Sequence, residues 1–262
     1  MVDMFRIIIF ISFFFISNAT YLTDSASGKE KDIILIAAAS NLKFAMDDLI
    51  LDYKNKNPER KIKIVYGSSG NFFNQILNGA PFDLYFSADS RYPYDLVKRG
   101  LARKVTNYAL GRIVVMTRLD STIEIQKAGL TSLFHPTVKK IAIANPVHAP
   151  YGSAAVAFMK GKNIYNKLKN KLVYGENISQ AAQFVESGAA EIGIIALSIA
   201  FKAKELGRVS YREIATGAYP PIEQGFVVLK SSKNYFLAEK FTDYLQSMEG
   251  KGVLLKYGFD VP

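Results

Sequence analysis

An unbroken apolar run at residues 33–39 is the feature that most constrains the fold of this chain. A strand buried on both faces is apolar throughout, whereas a strand with one face in water alternates apolar and polar residues. The segment that follows has apolar residues at helical spacing, including Leu49 and Tyr53, and ends at Asn57-Pro58. A buried strand followed directly by a helix predicts a βα unit of a parallel sheet.

The same alternation continues along the chain and predicts an α/β protein. Helices then cover both faces of the sheet, and the crossovers are right-handed. Further strands are predicted at residues 61–66, 83–87, 113–117, 140–144, 192–196 and 225–229. Further helices are predicted around residues 72–77, 94–99, 152–159, 178–187 and 235–246.

Two short stretches, residues 108–112 and 220–224, run directly into apolar strands and are candidate crossovers between two lobes. A chain of 262 residues suits either one large domain or two lobes, so its length does not decide. If these stretches are the crossovers, lobe 1 comprises residues 30–109 and 224–262, and lobe 2 comprises residues 110–223. The chain would leave the first lobe, build the second and return.

Residues 1–19 have the layout of a secretory signal peptide. Arg6 precedes an apolar run at residues 7–16, and small residues lead to Ala19. This run is too short for a spanning helix, which needs roughly 20 residues. We therefore expect cleavage after Ala19 and a polar linker at residues 20–32, with an uncleaved anchor as the alternative. Either arrangement exports the rest of the chain.

Cysteine is absent from the sequence, which excludes a lipid-attachment cysteine, a disulfide framework and a thiolate metal site. A cleavable signal without such a cysteine favours a periplasmic protein. The formal net charge is +10, but the basic residues are spread along the chain and their clusters lack interleaved aromatic residues. This pattern indicates a solvated basic surface rather than a nucleic-acid partner.

Four predicted strand-to-helix junctions combine small and hydroxyl-bearing residues, at positions 39–41, 67–70, 150–153 and 176–179. The first N–H groups of a helix have no partner within the helix, and the helix dipole favours negative charge beside them. In an open α/β sheet such junctions gather at the carboxyl ends of the strands, where ligands bind. Ordinary capping by Ser and Asn explains any single junction equally well. Several junctions facing one cleft would predict an anion site.

The sequence shows no motif that indicates an enzyme. The chain has only two histidines, His135 and His148, and neither lies in a nucleophile-elbow motif. Two histidines without cysteines do not make a structural zinc site, and no phosphate-cradling glycine motif follows a strand. We expect a protein without catalytic residues, side-chain metal ligands or a cofactor.

Five segments follow one another along the chain in a distinctive order. They are AAASN at 37–41, YGSSG at 66–70, GAPFDLYFSAD at 79–89, NPVHAPYG at 145–152 and KYGF at 256–259. In this order they resemble the periplasmic molybdate-binding proteins of ABC importers, over about residues 33–260. The resemblance implies a type II periplasmic-binding-protein fold, with two lobes that each have a mostly parallel sheet flanked by helices, and a two-strand hinge. It also implies capture of molybdate or tungstate and delivery to a membrane permease and its ATPase; we expect a monomer.

The resemblance assigns roles to five residues. Ser40 and Ser69 match serines that donate to the oxyanion through both the hydroxyl and the backbone N–H, and Asn41 is placed to assist Ser40. Tyr151 and Ile178 match backbone N–H donors of the second lobe. Their side chains are therefore expected to matter less than their backbone geometry.

One donor of the family pattern is missing, because some relatives carry a tyrosine where this chain has Ala196. Either Asn41 or the region of Tyr151 replaces it, or the affinity is lower. Molybdate and tungstate are fully deprotonated dianions near neutral pH, so a pocket of donors alone suits them, whereas phosphate carries a proton and needs an acceptor. A protein of the same fold that binds sulfate, thiosulfate or a small organic acid is the alternative, and an exported adhesin is a more distant one.

Overall fold

The computed structural model describes residues 33–262. The predicted signal peptide and linker lie outside the described residues. Within the described range, no helix is both long enough and apolar enough to cross a membrane.

The described residues form two five-stranded sheets. The first sheet has the strand order β2-β1-β3-β10-β4 and consists of β1 (Ile33–Ala39), β2 (Lys61–Gly67), β3 (Leu84–Ser87), β4 (Thr106–Gly111) and β10 (Ile222–Val228). The second has the order β7-β6-β8-β5-β9 and consists of β5 (Ile113–Arg118), β6 (Ile141–Ala144), β7 (Leu172–Gly175), β8 (Ile192–Ala196) and β9 (Val209–Glu213).

Helices connect and cover the strands. The first lobe contains α1 (Lys43–Lys56), α2 (Ser69–Leu77), α3 (Arg91–Lys98), α9 (Tyr235–Gln246) and α10 (Met248–Lys256). The second contains α4 (Ile125–Ala128), α5 (Pro150–Gly161), α6 (Tyr165–Leu168), α7 (Ile178–Glu186) and α8 (Leu197–Glu205). The predicted two-lobed α/β fold is confirmed.

Both sheets are mixed, with as many antiparallel as parallel pairings. Strand β1 pairs in parallel with β2 and β3, whereas β10 is antiparallel to β3 and β4. In the second sheet β6 is parallel to β7 and β8, and β5 is antiparallel to β8 and β9. The sheets are thus less parallel than expected. Strands β10 and β5, which each enter their sheet from the other lobe, run antiparallel to both of their neighbours.

The position of strand β1 in the sheet accounts for its apolar sequence. Ile34, Ile36 and Ala38 pack into a core on one face of the first sheet. Ala37 packs on the opposite face, in a core that contains Phe72. Burial on both faces requires an apolar residue at every position, as the sequence indicated.

The chain passes between the two sheets twice. It leaves the first sheet at Arg112, which links β4 to β5, and it returns between Glu213 and Ile222. Of the stretches predicted as crossovers, residues 108–111 belong to β4 and residues 222–224 belong to β10. We propose the lobe boundaries at these two passages, where the hinge consists of the strands on either side.

Candidate ligand-binding site between the lobes

The four predicted junctions meet at one small pocket between the lobes. It lies at the carboxyl ends of β1, β2, β6 and β7 and has a cavity volume of about 10 Å³. This is below the size of pockets for drug-sized ligands, which begin at about 300 Å³. The residues predicted from the sequence all line it: Ser40, Asn41, Ser69, Tyr151 and Ile178. The other lining residues are Ala39, Gly67, Ser68, Ala88, Ala149 and Pro150.

Ser69 is held in place from two sides. Its hydroxyl oxygen accepts a hydrogen bond from the backbone N–H of Ala88 at 3.0 Å, and its carbonyl oxygen accepts one from the Tyr85 hydroxyl at 2.7 Å. Ser69 is the first residue of α2 and is completely buried. Because its hydroxyl accepts from Ala88, its own proton remains available to a ligand.

Ser40 joins the two lobes. It lies in a short 3-10 turn after β1, and its hydroxyl donates to Oδ1 of Asn177 at 3.1 Å. The same hydroxyl accepts from the backbone N–H of Ser179 at 3.3 Å, and the Ser179 hydroxyl donates to the Ser40 carbonyl at 3.0 Å. The Ser40 proton is therefore engaged by Asn177, and a ligand would compete for it.

Tyr151 and Ile178 stand in the first turns of α5 and α7. Asn177 caps α7, because its Oδ1 accepts from the N–H of Gln180 at 3.1 Å. Ser69, Tyr151 and Ile178 lie at the first or second position of their helices, where the helix itself offers a backbone N–H no acceptor. Helix-terminal N–H groups that converge on one pocket are donors suited to an anionic ligand.

The electrostatics of the pocket come from the backbone. No charged side chain is among the residues that line it. The described chain also contains no group of three or more His, Cys, Asp or Glu side chains able to hold a metal ion. Positive potential in the pocket therefore arises from helix N-termini and from oriented N–H groups.

The side chain of Tyr151 has a role that the sequence did not indicate. Its phenol is buried, and its oxygen accepts from Nε2 of Gln224 at 3.1 Å and from Nδ2 of Asn41 at 3.3 Å. Burial raises the pKa of the Tyr151 hydroxyl, which therefore stays protonated at neutral pH. The side chain thus ties lobe 2 to two side chains of lobe 1.

The Asn41 side chain is buried beside the pocket. Its Nδ2 also donates to Oε1 of Gln224 at 3.0 Å, and the backbone carbonyl oxygen of Asn41 accepts from the Ser198 hydroxyl at 2.7 Å. Sequence reasoning missed Gln224. It lies in β10 between the charged Glu223 and the apolar end of the strand. Ala196, the position of the missing tyrosine, is buried at the start of α8 and does not line the pocket.

A second group of contacts closes the rim of the cleft. The N–H of Gly70 donates to the carbonyl oxygen of His148 at 2.9 Å, and Nδ1 of His148 lies 3.0 Å from the Ser68 hydroxyl oxygen. Nε2 of His148 lies 3.7 Å from a carboxylate oxygen of Glu176, which also accepts from the side chain of Asn71. The lobes are therefore closed over the pocket, and Glu176 is directed to the rim.

Comparison with known proteins places this fold in a family. Residues 34–260 match the family described as bacterial extracellular solute-binding protein. The chain belongs to this family.

Relatives of this extracellular solute-binding protein include the molybdate-binding protein ModA of Azotobacter vinelandii. It is 34% identical over 228 residues, which cover 86% of this chain and 89% of the relative. The molybdate-binding protein ModA of Rhodobacter capsulatus is 35% identical over 201 residues, covering 76% and 77% of the two chains.

Solved structures of the family agree with this fold. The periplasmic molybdate-binding protein of Azotobacter vinelandii superposes with a TM-score of 0.80 at 27% identity and covers 87% of this chain and 99% of its own. The sulfate-binding protein SubI of Mycobacterium tuberculosis reaches a TM-score of 0.69 at 14% identity, covering 87% and 86% of the two chains. At that identity the similarity concerns the fold alone.

Proposed function

We propose that this solute-binding protein captures molybdate or tungstate in the periplasm and delivers the oxyanion to the permease and ATPase of an ABC importer. Two relatives at 34% and 35% identity carry the name molybdate-binding protein. The single observation that carries the proposal is a pocket without charged side chains that is lined by the first turns of α2, α5 and α7.

This donor set matches the chemistry of the ligand. Molybdate and tungstate only accept hydrogen bonds at neutral pH, so each N–H or hydroxyl donor stabilises them and no acceptor is needed. A carboxylate in the pocket would repel a dianion, and the Glu176 carboxylate contacts His148 and Asn71 at the rim instead. The pocket is therefore better suited to a bare dianion than to a protonated phosphate.

Each of the five residues has a defined part in this proposal. Ser40 and Ser69 donate through hydroxyl and backbone N–H, Tyr151 and Ile178 donate through backbone N–H, and Asn41 supplies the donor that the family's tyrosine provides elsewhere. Six to eight charge-assisted hydrogen bonds at about 1.5–3 kcal/mol each exceed the roughly 12 kcal/mol of a nanomolar complex before association costs are subtracted. Basic side chains are not required for tight binding.

Binding changes the hydrogen bond of the Ser40 hydroxyl. The Ser40 proton leaves Oδ1 of Asn177 and points to the oxyanion. Asn177 keeps the N–H of Gln180 as its partner, so its oxygen is not left unpaired. This exchange lets the anion join both lobes through Ser40 and Ile178.

The protein acts in transport rather than in catalysis, and as a monomer. Its relatives are solute-binding proteins, and the absence of cysteine supports a soluble periplasmic form that carries no lipid anchor. His135 contacts Thr137, two residues further along the chain, and His148 belongs to the rim of the cleft. Neither histidine lines the pocket.

A thermal-shift screen of the mature protein tests the proposal. The ligands are molybdate, tungstate, sulfate, thiosulfate and phosphate. A ligand at about 1,000 times its dissociation constant adds roughly 4 kcal/mol to the free energy of unfolding, which raises the melting temperature by roughly 8–16 °C for a chain of this size. We expect that shift with molybdate and tungstate.

Other outcomes have distinct meanings. A shift with sulfate or thiosulfate alone would keep the donor pocket but replace the ligand. The fold similarity to the sulfate-binding protein makes this the first alternative to examine. No shift with any of the five anions would overturn the proposal.

A further inference from the structure

Four buried side chains form one hydrogen-bonded network where the lobes meet: Asn41, Tyr108, Tyr151 and Gln224. The Tyr108 hydroxyl donates to Oε1 of Gln224 at 2.8 Å, and Nδ2 of Asn41 donates to the same oxygen at 3.0 Å. Nε2 of Gln224 donates to the Tyr151 hydroxyl at 3.1 Å. Gln224 is 0% exposed and therefore exchanges no hydrogen bonds with bulk water.

This arrangement leaves two groups of the network unpaired within residues 33–262. Oδ1 of Asn41 is buried without a partner, and the Tyr151 hydroxyl accepts twice while its own proton has no acceptor. Because Nδ2 of Asn41 is turned to Gln224, the carbonyl oxygen is the end left for the pocket. A buried carbonyl without a partner is unfavourable, and next to an oxyanion it would also be repelled.

A second arrangement uses the same atomic positions. The two ends of a carboxamide have nearly the same shape, so each can turn by 180° within its cavity. If both turn, Nε2 of Gln224 donates to Oδ1 of Asn41 and to the Tyr108 oxygen, and the Tyr151 proton finds Oε1 of Gln224. Nδ2 of Asn41 then faces the pocket as a donor. In exchange, the hydroxyl proton of Tyr108 loses its acceptor.

Space for the network depends on Gly111. A methyl group there would overlap the Tyr151 hydroxyl and would lie 2.7 Å from Nε2 of Gln224. Gly111 ends β4, next to the passage into the second lobe. The network therefore lies at the hinge and is complete only when the lobes are closed.

We propose that Gln224 is a positioning residue that sets the orientation of Asn41, and that oxyanion binding turns both carboxamides so that Asn41 donates to the ligand. This inference rests on the proposed function. It adds the hydrogen-bonded network that orients Asn41, the fifth residue of the proposed donor set. Gln224 does not line the pocket, and its contact with Asn41 is the one that transmits its effect to the ligand.

Isothermal calorimetry with molybdate tests this coupling in a double-mutant cycle of Gln224→Met and Asn41→Ala. Methionine has a similar length but neither donates nor accepts strongly, so Asn41 loses the group that orients it. We expect Gln224→Met to weaken binding about tenfold in the wild-type background and less than about twofold in the Asn41→Ala background. Equal losses in both backgrounds would overturn the inference, because a general structural effect does not depend on Asn41.

The matched control is Gln75→Met, at an exposed position of α2 away from the pocket. It should leave the affinity unchanged. Thermal unfolding of each ligand-free variant verifies that it is folded at the temperature of the titration. If the wild type binds none of the oxyanions, the proposed function fails and this inference fails with it. If the wild type binds and the cycle is additive, the inference alone fails.

A spectroscopic measurement addresses the rotation itself. In protein labelled with ¹⁵N at Asn and Gln, molybdate should shift the side-chain amide signals of both Asn41 and Gln224, assigned by their loss in the two variants. A shift of the Asn41 signal with an unchanged Gln224 signal would contradict a coupled rotation.

Discussion

The backbone N–H of Gly70 donates to the carbonyl oxygen of His148 over 2.9 Å, and this bond joins the two lobes at the rim of the cleft. Gly70 is the second residue of α2 in the first lobe, and His148 precedes α5 in the second. A methyl group on Gly70 would lie 3.0 Å from both Cα and Cβ of His148. The closed rim therefore depends on the absence of a side chain at this position.

Gly70→Ala should weaken molybdate binding, by roughly 1 kcal/mol or about fivefold, because the rim must open by a few tenths of an ångström. The loss should appear mainly as faster dissociation, measured by stopped-flow release. Gly252→Ala is the control, since a methyl group there meets no atom within 4 Å. An unchanged dissociation rate would show that the closed rim does not hold the ligand.

Ser69→Ala should have two separable effects. Loss of the hydroxyl removes one donor and should weaken binding by about 1.5–3 kcal/mol. It also leaves the buried N–H of Ala88 without its acceptor, which should lower the free energy of unfolding of the ligand-free protein by about 1–3 kcal/mol. Calorimetry and thermal unfolding measure the two effects, with Ser187→Ala on the surface as control. Unchanged affinity would remove Ser69 from the donor set.

Ala196→Tyr tests whether the family's tyrosine donor can be restored. Ala196 is 0% exposed and packs in the core of the second lobe. Ser198, two residues later, donates to the carbonyl oxygen of Asn41. We expect overpacking to lower stability by about 1–3 kcal/mol and to weaken molybdate binding through Asn41. Ala189→Tyr, at an exposed position, is the control, and tighter binding by Ala196→Tyr would show that the ring reaches the ligand.

Protonation of Asp48 in acid should lower the free energy of unfolding. Burial raises its pKa, but hydrogen bonds from Lys256 at 3.0 Å and Tyr257 at 2.8 Å outweigh this and hold the pKa below its ordinary value of 3.8. The carboxylate is thus favoured in the folded state. Its stabilising contribution is present above pH 3.8 and is lost as the pH falls through the lower folded value. It is small, because the side chain is 40% exposed.

The variant Asp48→Asn should therefore be less stable than the wild type near pH 6 and equally stable near pH 2. Urea unfolding at a series of pH values measures the difference. A difference that stays constant between these limits would show that the charge of Asp48 is not the cause.

Much of the buried core could be predicted from the sequence, but strands β4, β7 and β9 and helices α4, α6, α8 and α10 were not. The predicted bounds of β1, β8 and α9 coincide with those observed, because each is an apolar or amphipathic segment with clear end signals. Strand β9 (Val209–Glu213) was not predicted, since it is a half-exposed edge strand whose residues alternate weakly. Its pairing with β5 comes from tertiary context rather than from local preference.

The candidate site was predicted only in part. Resemblance to a family identified five lining residues, but composition alone could not separate ligand binding from helix capping. At Asn177 both interpretations hold, because its side chain caps α7 and also accepts from Ser40. Gln224 has no sequence signature, since it pairs with Ala109 and its side chain reaches Tyr108 beside a change of register that only the folded sheet reveals.

The order of the strands has a consequence for how the chain folds after export. Every strand of the second sheet lies between Ile113 and Glu213, so that sheet can form from one continuous stretch. The first sheet is complete only after β10 has inserted between β3 and β4. This strand pairs with residues more than 100 positions earlier. Such distant pairing is slow and leaves two strand edges temporarily unpaired. The same strand carries Gln224, so the binding cleft is among the last parts of the molecule to be assembled.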